Sequence, residues 1–597
     1  MTVPPVAYAL LAVADVVLGA SVLRRLRTGV RGVEAFAWSV ALGTGLASLW
    51  AFVLVATGVW ARVAVAPTAA IVTAVAPAAV LATLDALRRR AADPAPRGPT
   101  PRAFDPWLVP PALVAGVLLV AALAPDVGFD ALVYHLPAAA RVARDGLGPL
   151  PGCFDGELRL GFDLLWARLL RLDGALPAGP AVFHALAGVG LAAGVFAETR
   201  RRAGAAAAGV VATLLLLSPE VARLATTAYV DLGVGLYGFV AIAAVARAHR
   251  GEPGPNAALA GVFAGFAANA KLNALAFLPV VALALLAGGP RGGRPRPALV
   301  ATACGALVAA PWVVRAALAT GNPAFPALAS AFGTGWATPE TVRLAARTVL
   351  DQTGLPRDAL LGPRGVLHGV FDPAWAFQTP AFVLALLPAA ATRPDTPERR
   401  GLLVAGVLSA VAGPGSCRWR GSASRRSRGR GRRRRRRRAA RRRPPPPRRR
   451  GPRGRGGPRG RRRLAAAPLL PRLRAVLARD AEPAYAREAL GAARGAAHAA
   501  AGARHVGLAA HVVALVGPDA VSLTPQRNGV LVPSDLDDPV AYLAGCRRLG
   551  LTTLVLPDGP DAKPAWARLV AAWERSGDVV RVTRPVRGWQ RVTLAPR

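Results

Sequence analysis

The chain has 597 residues, 53% of them hydrophobic, with a mean hydropathy of +0.35 and a formal net charge of +42. Long, nearly uncharged Ala/Leu/Val runs recur through residues 1–412, which excludes an ordinary soluble globular protein. The charge does not argue for nucleic acid, because residues 413–463 alone hold 25 arginines and no acid, and most of the remaining excess lies in short loops between apolar runs.

In chain order, the apolar runs predict spans near 4–23, 34–57, 63–87, 107–124, 180–198, 204–218, 229–247, 256–270, 273–288, 298–318, 373–392 and 401–412. Only helices satisfy every backbone polar group within one segment at that depth. The first run is followed by Arg-rich residues 24–27 and no small-residue cleavage site, so it reads as a retained span. Basic loops at 24–31, 88–102, 199–202, 247–254, 290–297 and 392–400 fall in phase on one side. The positive-inside rule makes that side cytoplasmic and puts the long loops 125–179 and 319–372 outside.

Residues 1–103 thus read as N-terminal transmembrane helices with a basic cytoplasmic loop, and 104–412 as a membrane core. Within the first outer loop, Leu158, Phe162, Leu165, Leu169 and Leu172 repeat at steps of three and four, with Arg159, Asp163, Arg168 and Arg171 elsewhere. That pattern predicts an amphipathic helix, in the membrane interface or on a protein surface. Residues 413–463 are a low-complexity Arg/Pro/Gly tract that has no means to bury a core. Ala codons of a GC-rich gene read one base out of step become Arg or Pro codons, so the tract reads as a frameshifted membrane segment; the alternative is a patch for nucleic acid or anionic lipid. Residues 464–597 alternate helical patterns with β-like runs at 511–516, 552–557, 578–583 and 590–595, which predicts a small soluble α/β domain, on the extracytoplasmic side. The fold class expected is a polytopic α-helical membrane protein of about 12 or more transmembrane helices with that C-terminal domain.

Chemistry-bearing residues gather at the outer ends of the predicted spans. Asp126 and Asp130 follow the fourth span, with Tyr134 and His135 next. A carboxylate there suits general-base work on a hydroxyl, against the plainer reading of a helix cap. Asp231 sits at the outer end of the seventh span, where an ionisable group is costly and marks a site, or caps the helix. Lys271 and Arg315 lie at outer turns where the positive-inside rule does not want them, suited to a phosphate or to snorkelling. The cysteines Cys153, Cys304, Cys417 and Cys546 are scattered without metal-ligand spacing.

Residues 129–137 (FDALVYHLP), 228–237 (AYVDLGVGLY), 264–275 (AGFAANAKLNAL) and 311–326 (PWVVRAALATGNPAFP) resemble bacterial glycosyltransferases of the C superfamily. The resemblance covers roughly 105–412 and is nearest to the protein-mannosyltransferase and aminoarabinose-transferase-like members, glycosyltransferase family 39-like. It implies a multi-pass protein of the bacterial cytoplasmic membrane with an extracytoplasmic active site. It implies a polyprenyl-phosphate sugar donor, an inverting transfer, and an acceptor that is a cell-envelope glycan, lipid or protein, with no nucleic acid partner. By motif match it implies Asp130 as the catalytic acid/base position and suggests Asp231 as a second site acid; beside these, Asp126, Tyr134, His135, Lys271, Arg315 and Asn322 are read as substrate-binding. It assigns no metal ligand and leaves a divalent metal open, since members differ in needing one. A polytopic transporter or flippase, or an inactive membrane scaffold, are the competing expectations.

Overall fold

Residues 4–91, 105–342 and 469–596 are described in the computed structural model, with short gaps inside each range. The predicted spans 373–392 and 401–412, the tract 413–463, His368 and much of loop 319–372 lie outside the described residues.

Helices α1 (Pro5–Leu26) and α2 (Gly32–Ala56) cross with their backbones in contact. A Cβ at Gly19 would stand 2.0 Å from the Ser39 carbonyl oxygen, and one at Gly43 1.8 Å from that of Asp15, so only glycine fits at either position. Close approach through small residues is how apolar helices associate when burial of side chains from water is not the driving force. After α3 (Pro67–Ala91) and α4 (Val109–Ala121), a short π-helical turn at Ala131–His135 leads into α5 (Leu136–Asp145). Then come α6 (Val182–Leu217), α7 (Asp231–His249), α8 (Asn256–Ala270), α9 (Phe277–Gly288) and α10 (Arg296–Thr320). Helix α6 breaks at Gly204, whose φ of 83° and ψ of 172° interrupt it between the two spans expected at 180–198 and 204–218. Lys271, in extended conformation, makes the expected turn between α8 and α9.

Among the described residues five helices are long and apolar enough to cross a membrane: Pro5–Leu26, Gly32–Ala56, Val182–Leu217, Asp231–His249 and Arg296–Thr320. Shorter apolar helices at Ile71–Ala86, Pro106–Ala121, Asn256–Ala270 and Ala274–Ala287 occupy other predicted spans. The chain is therefore a mostly helical protein with membrane-type helices.

The first long loop departs from expectation. Among the described residues 158–170 it forms no amphipathic helix: only Leu164–Ala167 is α-helical, and residues 159–170 are buried throughout. The segment threads between helices. The Gly161 N–H donates to the Asn269 carbonyl at 2.9 Å, and the Ser48 hydroxyl donates to the Gly161 carbonyl. Arg168 reaches Asp15 in α1 with two bonds, 2.9 and 2.6 Å long, and its guanidinium lies 5.3 Å from the Phe183 ring centroid. Of the polar positions that read as a solvated face, Asp163 and Arg168 are thus buried against His135 and Asp15.

The C-terminal region is α/β, as expected. Helices α11 (Leu469–Leu477), α12 (Ala484–Leu490) and α13 (Ala493–Ala500) precede a five-stranded mixed sheet of order β2-β1-β3-β5-β4. Its strands are β1 (Val506–Leu508), β2 (Val521–Ser522), β3 (Thr553–Pro557), β4 (Val579–Val586) and β5 (Trp589–Leu594). Helices α14 (Pro539–Arg548) and α15 (Pro564–Arg575) bury Tyr542, Trp566 and Trp573 against it. One expected strand is corrected: within 511–516 the described residues Val513–Leu515 form a 3-10 turn, and β1 lies just before it. The domain docks on the same face of the bundle as loop 125–179. Arg472 donates to the Thr226 carbonyl at 2.6 Å, Tyr485 to the Pro125 carbonyl at 2.8 Å, and a side chain at Gly152 would meet Val521 and Leu549.

Candidate functional site

The loop after α4 is clipped to the turn before α7 by Asp126. Its Oδ1 accepts from the Gly128 N–H at 2.7 Å and its Oδ2 from the Ala228 N–H at 2.5 Å. Burial raises its pKa above the usual carboxylate value, against the opposing charge of Arg472. Both oxygens are taken by backbone donors, so Asp126 holds the loop.

Five residues beyond Asp126, the chain enters the π-helical turn, a conformation frequent at functional sites. The Asp130 N–H donates to the Tyr229 hydroxyl at 3.1 Å. The His135 ring lies 4.2 Å from the Tyr134 ring centroid and 5.6 Å from that of Tyr229. Tyr229 is nearly buried, and burial, then the charge of Asp130, pushes its hydroxyl well above the usual tyrosine range. Its phenol therefore stays protonated and packs the wall behind Asp130.

His135 is buried, with Nδ1 2.7 Å from Oδ1 of Asp163. Burial alone would lower its pKa, but the charge and hydrogen bond of Asp163 outweigh it, aided by the charges of Asp130 and Asp231, and the net direction is up. One imidazole thus feels both expected acids. Asp130 and Asp231, 101 positions apart in sequence, are linked through Tyr229, whose hydroxyl accepts from the Asp130 N–H two residues before Asp231.

Asp231 opens α7, and its Oδ1 lies 2.7 Å from Lys271 Nζ. The two side chains keep 31% and 27% of their surface exposed, so the pair borders open space. His184, which sequence reasoning passed over, anchors this helix start. Its Nε2 accepts from the Leu232 N–H at 2.7 Å, while Nδ1 donates to the Leu224 and Thr227 carbonyls at 2.6 and 3.1 Å. A side-chain acceptor here satisfies one of the orphan N–H groups of a helix start.

Two expected binding residues are used for structure. Arg315 is buried in α10; its Nη2 meets Glu157 Oε2 at 2.8 Å, and it donates to the Leu147 and Gly148 carbonyls. Glu157 also accepts from the Trp336 indole at 3.0 Å, so this cluster ties the two long loops to α10. Asn322 is fully buried, its Oδ1 accepting from the Ala324 N–H at 2.9 Å and its Nδ2 donating to the Gly333 carbonyl at 3.2 Å. It closes the turn after α10.

Among the described residues no three His, Cys, Asp or Glu side chains gather as a metal site. The arrangement that remains at the loop face is one carboxylate over a tyrosine wall, a histidine–carboxylate pair behind it, and a half-open carboxylate–ammonium pair beside it. Asp163 and Tyr229 were the members missed from sequence; Tyr229 lies two positions before Asp231 in the quoted 228–237 segment. Compared with known proteins, the chain matches no family model, no curated protein and no solved structure.

Proposed function

We propose that this chain is a membrane glycosyltransferase of about a dozen spans, moving a sugar from a polyprenyl-phosphate donor to an acceptor on the extracytoplasmic side of a bacterial cytoplasmic membrane. The observation that supports it most is the Asp130 N–H bond to the hydroxyl of Tyr229, two residues before the Asp231 that pairs with Lys271. In this reading Asp130 takes the proton of an acceptor hydroxyl as its oxygen attacks the anomeric carbon. The bond from that carbon to the phosphate oxygen breaks with inversion, and polyprenyl phosphate departs with the electron pair. Lys271 stands beside the developing phosphate charge, where a fixed cation stabilises the transition state, and Asp231 sets its position.

The test is Asp130→Asn, assayed in nanodiscs with a polyprenyl-phosphate sugar. General-base assistance contributes ~100- to 10,000-fold, and turnover should fall by that order while the melting temperature holds. Undiminished turnover in the variant removes Asp130 from the mechanism.

A transporter or flippase is the second reading, and one observation favours it: Asp15, an ionisable group midway along α1, paired with Arg168. Flux of a labelled lipid-linked sugar without transfer would support it.

A further inference from the structure

Two buried carbonyls on the loop-bearing face take their hydrogen bonds from far along the chain. Pro125 stands just before Asp126, and Thr226 stands two positions before Ala228. The Tyr485 hydroxyl donates to the Pro125 carbonyl at 2.8 Å, across 360 residues. The Nη1 of Arg472 donates to the Thr226 carbonyl at 2.6 Å, across 246 residues. Arg472 is 3% exposed and Tyr485 8%, and the guanidinium carbon lies 5.4 Å from the Tyr485 ring centroid. These contacts close a circuit around the Asp126 clip. Asp126 accepts from the Ala228 N–H, the chain runs back to Thr226, Arg472 holds that carbonyl and lies over Tyr485, and Tyr485 returns to Pro125.

The same C-terminal region grips the loop on both sides of Asp130. Before it, Val127 packs on the cluster formed by Ala475, Tyr485 and Ala486. After it, the 3-10 turn Val513–Leu515 packs against the π-helical turn Ala131–His135 and shares a buried cluster with Leu132 and Leu136. The Asp130 N–H donates to the hydroxyl of Tyr229, three positions after the carbonyl that Arg472 holds. A loop and a turn from separate parts of the chain lose conformational entropy when they are fixed together, and such segments otherwise open at low free-energy cost. A donor to each buried carbonyl opposes that opening, because removing it leaves the carbonyl unsatisfied.

We propose that Arg472 and Tyr485 are positioning residues, through which the C-terminal domain holds the loop bearing Asp130 in register with the turn bearing Tyr229 and Asp231. The placement stands apart from the glycosyltransferase reading, which enters only through what Asp130 then does.

The experiment reads hydrogen exchange first and turnover second. Full-length wild type, Tyr485→Phe, Arg472→Leu and Arg472→Lys are placed in nanodiscs, and amide exchange is followed by mass spectrometry. The N–H groups of Asp126, Gly128, Asp130 and Ala228 are all bonded and serve as reporters. Tyr485→Phe deletes one hydroxyl and keeps the ring, and exchange over 126–136 and 226–232 should quicken roughly 3- to 10-fold. In Arg472→Leu it should quicken roughly 10- to 100-fold, with Arg472→Lys between, since an ammonium keeps a charged donor. Peptides from α1, α2 and β3 should exchange at the wild-type rate. Unchanged exchange over the loop and turn in Tyr485→Phe and Arg472→Leu overturns the proposal. So does exchange in Tyr485→Phe that rises in β3 as much as in the loop, which would make the contact one of general stability. Tyr485→Phe decides alone if Arg472→Leu does not fold. With a polyprenyl-phosphate sugar, Tyr485→Phe should lower kcat roughly 3- to 10-fold and leave KM unchanged. In an Asp130→Asn background the same change should have no further effect, because residues that act as a unit are non-additive. A full additional loss in the double variant overturns positioning through Asp130. Wild type without turnover sinks the glycosyltransferase reading, and the exchange rates then decide the clamp.

Discussion

Ion pairs of similar length divide this molecule into two regions. Deep among the helices, Arg168–Asp15 and Arg315–Glu157 close at 2.6 and 2.8 Å with at most 3% of any side chain exposed. At the start of α7, Lys271–Asp231 closes at 2.7 Å with about ten times that exposure. Distance alone would call these pairs alike, but hydration decides their roles. The sealed pairs carry a desolvation cost that only full pairing offsets, so neither partner is available to a ligand. The open pair is screened by water, contributes little to stability, and is available for exchange. Arginine fills both sealed posts and lysine the open one, in keeping with a forked donor for fixed geometry and a compact, rotatable one for a changing partner.

The comparison breaks most readily at the sealed pair. Asp15→Asn should destabilise by about 3–5 kcal/mol, because Arg168 is left buried and uncompensated, while Asp15→Leu with Arg168→Met should recover most of that. Melting in detergent measures both; a single variant as stable as wild type would show that water reaches the pair. At the open pair, Lys271→Gln should shift stability by no more than about 1 kcal/mol. It should also weaken polyprenyl-phosphate binding by roughly 10-fold, read by titration in nanodiscs, as loss of one charged hydrogen bond requires. A large loss of stability would make the two regions alike after all.

The smallest effect sharpens the boundary between them. His135 has a folded pKa raised above its unfolded value of about 6.5, since Asp163 outweighs burial. The protonated pair therefore adds stability below that value, and the contribution is lost as pH rises through the folded pKa. The melting-temperature gap between wild type and His135→Gln should narrow from pH 6 upward, by a few degrees; a gap that widens with pH reverses the sign of the coupling.

Much of the helical order was legible, because long apolar runs and their breaks at Gly204 and Lys271 are local features. The C-terminal α/β alternation was local as well. The insertion at 159–170 was not legible. Its three-and-four spacing is genuine, but periodicity cannot tell a polar face turned to water from one turned to buried partners. Here those partners, Asp15 for Arg168 and His135 for Asp163, lie 153 and 28 residues away. The apolar run around Val513–Leu515 failed for a different reason: a short apolar stretch suits a turn or a strand equally. In the site, Asp130, Asp231 and Lys271 were marked by their odd depth. Arg315 carried the same mark and proved structural, because its acid, Glu157, lay in a different loop.

The tie between Asp15 and Arg168 also sets a schedule for biogenesis. The ribosome completes α1 long before it reaches the partner 153 residues downstream. At 5–20 residues per second the delay is about 8–30 s. Throughout it, a carboxyl midway along the first span has no guanidinium to meet. Insertion of such a residue at a helix centre costs about 3 kcal/mol, which the otherwise apolar helix, of hydropathy 2.2, has to offset unaided. On the membrane reading, helix α1 therefore has to insert before Arg168 is available, and the Asp15–Arg168 bonds close only once the threaded loop has been made.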